Sequence, residues 1–147
     1  MIVGFRSTGF TLAEILAVLL LLSLLAVLAL PAYHRQLATF QRQQVTTLML
    51  EVVSRQEQYL MTHQHYAQAL DVLGYESTTL SIDRQGRIGT GGAADAMYRI
   101  RLVSLPPGYQ VLAESVAGDH DCSALGLTWR GRWQATGRLS LGECWQR

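Results

Sequence analysis

Lysine is absent: all 12 basic residues of the 147-residue chain are arginine. That preference carries no functional information. Against 11 acidic residues it leaves a formal net charge of +1, which argues against a dedicated nucleic-acid binder of the strongly basic kind. Cysteine is nearly as scarce, at two, and a metal centre would need more ligands than that pair supplies. No Ser, His and acid constellation, no phosphate-cradling Gly loop and no metal-ligand cluster is legible, so the chain reads as a non-enzyme without metal or cofactor. Polar side chains are also missing from one stretch: between Ile15 and Leu30 only Ser23 is polar. The rest has ordinary globular composition, which excludes a multispan membrane protein and a disordered chain. The length suits one modest domain.

Phe10 to Leu30 is about 21 residues, close to the roughly 20 that a helix needs to cross a hydrocarbon core. A secretory signal would carry a small-residue cleavage site after its apolar run. Here the run closes on Leu30-Pro31-Ala32-Tyr33, and the short stretch Ser7-Thr8-Gly9 lies before it. Cleavage at Gly9 would keep the apolar segment in the mature protein. Glu14 is the anomaly, because an ionisable group in a spanning segment is costly and has a partner or a function. One reading is a side chain near the helix end that snorkels to the interface. The other is a pair with the new ammonium on Phe10, within one subunit or between neighbours.

Gly9-Phe10-Thr11-Leu12-Ala13-Glu14, followed by an apolar stretch closing on Pro31-Ala32-Tyr33, resembles the leader and N-terminal helix of type IV pilins and their pseudopilin relatives. The resemblance implies cleavage after Gly9 by a prepilin peptidase, N-methylation of Phe10 and use of Glu14 to dock a subunit into a growing filament. It also implies that the apolar helix leaves the inner membrane and becomes filament core. Ser23 departs from the family, which often carries Gly there. The chain accordingly divides into a leader (1–9), a transmembrane and filament-core helix (10–33) and a pilin head that includes the upper helix (34–147).

Pro31 would interrupt or kink a helix. Beyond it Leu37, Val45, Leu48, Val52 and Tyr59 fall on one stripe at helical spacing, predicting a helix that continues to about Met61 and packs on a sheet. His34 to Gln44 reads as less buried than the part from Val45 onward. His63 and His65 at i and i+2 would point apart on a helix, without a Cys or acidic third ligand, so they read as a helix C-terminal turn rather than a metal site. Gly74 to Gly92 reads as irregular, with a short strand near Thr79 to Ile82. Strand alternation starts at Met97 and turns at Pro106-Pro107-Gly108. It returns over Tyr109 to Val116, with a third strand at Ala124 to Arg130 and a fourth around Leu139 to Leu141. The class is α+β, a long N-terminal helix on a small antiparallel sheet.

Cys122 and Cys144 would close a loop of roughly 23 residues, about 3 kcal/mol of chain entropy if bridged. Two unpaired buried thiols are the alternative, and an anchored head in the oxidising periplasm favours the bridge. Cys122 to Thr128, with Gly142-Glu143-Cys144-Trp145, is similar to the C-terminal disulfide region of PilE-type minor pilins. Arg55 to Tyr59 and Ala69 to Tyr75 extend the likeness. It implies a minor pilin with other major and minor pilins and the assembly machinery as partners, serving motility, adhesion or DNA uptake. Trp129-Arg130-Gly131-Arg132-Trp133 is a candidate ligand-binding stretch that could stack bases, making a DNA- or surface-binding receptor at a pilus tip the alternative. Four Arg against Asp119, Asp121 and Glu143 from Gly118 onward favour a plain hairpin at Gly131 with packed Trp. Asp119-His120-Asp121 offers too few oxygens for calcium and reads as solvated loop acids. A type II secretion pseudopilin would share the helix and the peptidase.

Overall fold

The apolar run and the amphipathic stripe that follows it produce a single helical assignment, α1, over Leu12–His63. A computed structural model describes residues 11–92, 94–116 and 118–145. The chain divides into two compact units, the first ending at Leu37 and the second running over Ala38–Arg147. In the first unit, helical assignment continues through residue 31, so the proline does not interrupt the helix.

In the second unit Val45, Leu48, Met49 and Val52 are buried, the i, i+3, i+4 and i+7 pattern of a helix face on a core. The expected difference along the helix is only partly met. Gln41 and Arg42, in the section read as less buried, are themselves buried, Arg42 for the electrostatic reason described below. α1 ends because Gln64 takes a left-handed conformation (φ 60°), its N–H still reaching the Leu60 carbonyl, a common way to stop a helix. Gln56, fully buried, accepts from the Ala67 N–H and donates to the Ala67 carbonyl, both at 2.9 Å. One amide side chain thus completes a peptide group that has left the helix. Further on, a 3-10 turn at Asp71–Leu73 precedes left-handed Gly74. Arg55 holds this segment, donating to the Leu73 carbonyl at 3.0 Å and lying 4.2 Å over the Tyr75 ring.

Six antiparallel strands follow: β1 Thr79–Asp83, β2 Ile88–Thr90, β3 Ala96–Leu105, β4 Gly108–Ser115, β5 Ala124–Thr128 and β6 Trp133–Thr136, in the order β2-β1-β3-β4-β5-β6. Alternation sorts their faces. Tyr98, Ile100, Tyr109, Val111, Ala113, Leu125 and Leu127 join the helix residues in one core, while Arg99 and Arg101 are exposed. On the opposite face Arg101 pairs with Glu114 at 3.1 Å and Gln110 bonds Gln134 at 2.7 Å. β3 and β4 meet across Pro106-Pro107, with Leu105 opposite Gly108, as the turn residues predict.

Two strands were not legible. β2 is three exposed residues, too short for alternation, and β6 begins on Trp133, directly after the turn at Gly131. The fourth strand expected around Leu139 to Leu141 is corrected to a short helix, α2, Leu141–Trp145. Ser140 and Glu143 decide this: Glu143 accepts from the Ser140 N–H at 2.9 Å and Ser140 Oγ accepts from the Glu143 N–H at 3.4 Å, a capping box that favours helix. The class is α+β. Cys122, just before β5, and Cys144, in α2, form a disulfide with Cα atoms 5.7 Å apart. Replacing both with Ser should lower the unfolding free energy of the full chain in detergent by about 3 kcal/mol, followed through Trp fluorescence in urea; a loss below about 1 kcal/mol would show that packing alone holds α2.

Candidate functional site

Thr11 is the N-cap of α1. Its Oγ1 accepts from the Glu14 N–H at 3.3 Å, and Thr-Leu-Ala-Glu is the spacing of a capping box. The Thr11 cap was readable in the sequence as T-x-x-E, yet the anomaly of the Glu14 charge obscured it. An acid in the first turn also complements the helix dipole. From Leu12 to Leu30 the helix has a mean hydropathy of 2.8 and its residues are exposed, so it is long and apolar enough to cross a membrane. Ser23 donates to the Leu20 carbonyl at 2.8 Å, which satisfies its hydroxyl within the helix. The proposed cleavage and methylation residues, Gly9 and Phe10, lie outside the described residues.

The head contains a polar centre that the sequence reading missed. Arg42 on α1 donates from Nε and Nη2 to both oxygens of Asp119, at 2.8 and 2.9 Å. Tyr98 on β3 donates its hydroxyl to Asp119 Oδ2 at 2.6 Å. Asp119 Oδ1 also accepts from the Asp121 and Cys122 N–H groups at 3.1 and 3.2 Å. Side-chain exposure is 6% for Arg42 and 11% for Asp119, so the reading of Asp119 as a solvated loop acid is corrected; Asp121 is exposed, as expected. A charge this buried is stable only when paired and fully hydrogen-bonded, and each Asp119 oxygen has more than one donor. Burial by itself would raise the Asp119 carboxyl. The hydrogen bonds from Arg42, Tyr98 and the Cys122 N–H outweigh it and hold the carboxyl below its ordinary range. The same carboxylate holds the Arg42 guanidinium above its usual value against the opposing effect of burial. Burial pushes the Tyr98 phenol up, and Asp119 adds to the shift.

The aromatic and basic stretch forms the β5–β6 turn, with Gly131 at φ 71° and its N–H on the Thr128 carbonyl at 2.8 Å. Both tryptophans pack on the core. Trp129 lies against Gly108, where any Cβ would collide with the indole, and Trp133 meets Trp145 edge to face at 4.4 Å. Arg130 stacks on Trp129 at 4.6 Å. The rings that would have to stack on bases are therefore engaged internally, which favours the hairpin reading over a nucleic-acid platform. Among the described residues no group of three or more His, Cys, Asp or Glu is placed to hold a metal ion.

No protein-family model matches the chain, no curated protein matches it and no solved structure matches its fold.

Breaking the buried pair from one side strands a charge. Arg42→Ala and Asp119→Ala should each cost about 3–5 kcal/mol, whereas Arg42→Met with Asp119→Leu should cost much less than their sum. Additive losses in urea unfolding would disprove the coupling. Because the Asp119 carboxyl is depressed in the folded state, its contribution is complete above the unfolded value of about 3.9 and disappears as pH falls through the lower folded value. Acid unfolding below about pH 4 should therefore be shallower in Asp119→Asn than in the parent chain.

Proposed function

We propose that this chain is a structural subunit of a type IV pilus, a minor pilin held in the inner membrane by Leu12–Leu30, with its head in the periplasm, before it enters the filament. The observation that carries the reading is the pairing of a wholly uncovered apolar helix, with Glu14 in its first turn, and a separate unit that folds around its own core and is closed by a disulfide. A helix so apolar requires either lipid or other apolar helices around it. A filament assembled from membrane-held subunits provides both in succession. A disulfide fits a head on the oxidising side of the membrane.

In this reading prepilin peptidase cuts after Gly9, Phe10 becomes the methylated N-terminus, and its ammonium meets the Glu14 carboxylate as the subunit docks. Other major and minor pilins and the assembly machinery are the partners. Pilus-dependent motility, adhesion or DNA uptake is the outcome served. The subunit does no chemistry of its own.

Glu14 stands at the third helical position beside the Thr11 cap and carries a charge, and one substitution removes only the charge. Gln sustains a capping box without the charge, so Glu14→Gln should be processed and folded normally yet fail to enter filaments, as judged by immunoblots of sheared pili. Normal incorporation would eliminate the charge-docking role. Gly9→Val should block processing and leave the longer precursor in the membrane; normal maturation would refute the leader assignment.

A further inference from the structure

On an uninterrupted helix, residues two apart point in different directions. His63 and His65 escape that geometry because α1 ends between them. Left-handed Gln64 turns the chain back, and the two imidazole centroids lie 6.2 Å apart with the rings tilted at 56°. Both residues are exposed. His63 is held in place by stacking on Tyr59 at 3.9 Å and 8°, and His65 meets the edge of the same ring at 5.6 Å.

The second feature is the hydrogen bonding of the rings. His63 Nδ1 lies 3.2 Å from the Tyr59 carbonyl and His65 Nδ1 lies 3.3 Å from the Tyr66 carbonyl. A carbonyl only accepts, so the tautomer that makes these bonds carries its proton on Nδ1 of each ring. Thr62, 2.7 Å from His63 Nδ1, fits this assignment because its own hydroxyl donates to the Tyr59 carbonyl at 3.0 Å. In that tautomer each Nε2 is a lone-pair donor. Orientation of a ring through Nδ1–H on a backbone carbonyl is the arrangement that supports metal-ligating histidines. The site also sits at the C-terminus of a 52-residue helix, the end whose dipole favours a cation.

We propose that His63 and His65 chelate a divalent transition-metal ion through their Nε2 atoms, with solvent completing the coordination sphere. Metal–nitrogen bonds of about 2.0 Å place the centroids of two rings on adjacent tetragonal positions roughly 4.5 Å apart, so closure requires about 1.7 Å of approach, supplied by the exposed His65 side chain. Two imidazoles with water suit Cu(II) best, and it heads the affinity order for nitrogen sites.

The test is titration of the full-length chain in detergent with Cu(II), read by electron paramagnetic resonance. The expected result is one equivalent bound with hyperfine structure from two nitrogens. His65→Ala and His63→Ala should each weaken binding at least tenfold, while His34→Ala and His120→Ala leave it unchanged. Gln64→Gly, which keeps the left-handed turn, should retain binding. Gln64→Val, with both imidazoles intact but a side chain that disfavours positive φ, should weaken it. Equal affinity in the parent chain and the His63→Ala, His65→Ala double variant, or a one-nitrogen spectrum, would overturn the proposal.

Discussion

The carboxylate of Asp119 is the point on which the head depends. It joins three parts of the chain that are distant in sequence: Arg42 from α1, Tyr98 from β3 and the backbone immediately before Cys122. Each of these groups would be costly to bury alone. A guanidinium without its carboxylate, or a carboxylate without its donors, would lose several kcal/mol of hydration with no return. Together they tie the helix, the sheet and the entry to β5 in one arrangement.

The disulfide acts on the same segment from the other side. Asp119 fixes the backbone leading into Cys122, and the bridge carries that position on to α2. Trp145 of α2 then donates its indole N–H to the Gln134 carbonyl at 3.0 Å and packs on Trp133, which closes the β6 edge of the sheet. An ion pair, a covalent bond and an aromatic contact therefore hold the last thirty or so residues in series. This fits the small size of the head, where apolar burial alone leaves little margin.

The helix carries two kinds of side-chain pattern on one secondary structure. Its apolar section carries no pattern, with large apolar side chains exposed all round. Its section in the second unit is sharply sided, with Val45, Leu48, Met49 and Val52 inward and Gln43, Thr47 and Ser54 outward. Both sections are helical for the same backbone reason, intrasegment hydrogen bonding. What surrounds them is set by side chains alone.

Much of this architecture was legible in the residues. The long helix, its end near His63, the β3 and β4 strands and the turn between them follow from periodicity, which depends only on neighbours in sequence. The Thr11 cap and the Ser140 capping box are equally local. The Arg42 and Asp119 pair was not legible, because 77 positions separate two residues of types that are ordinarily exposed. Gln56 is hidden for the same reason, as a polar residue interrupting an apolar stripe until a freed peptide group gives it a partner. The approach of His63 to His65 depends on one backbone angle at Gln64. By itself the sequence determined which segments are helix or strand and which stretch is apolar enough for a membrane, since those properties are local sums over neighbouring side chains. Only the tertiary structure decided which polar groups are buried and paired, because desolvation and hydrogen bonding depend on what the fold brings within about 3 Å.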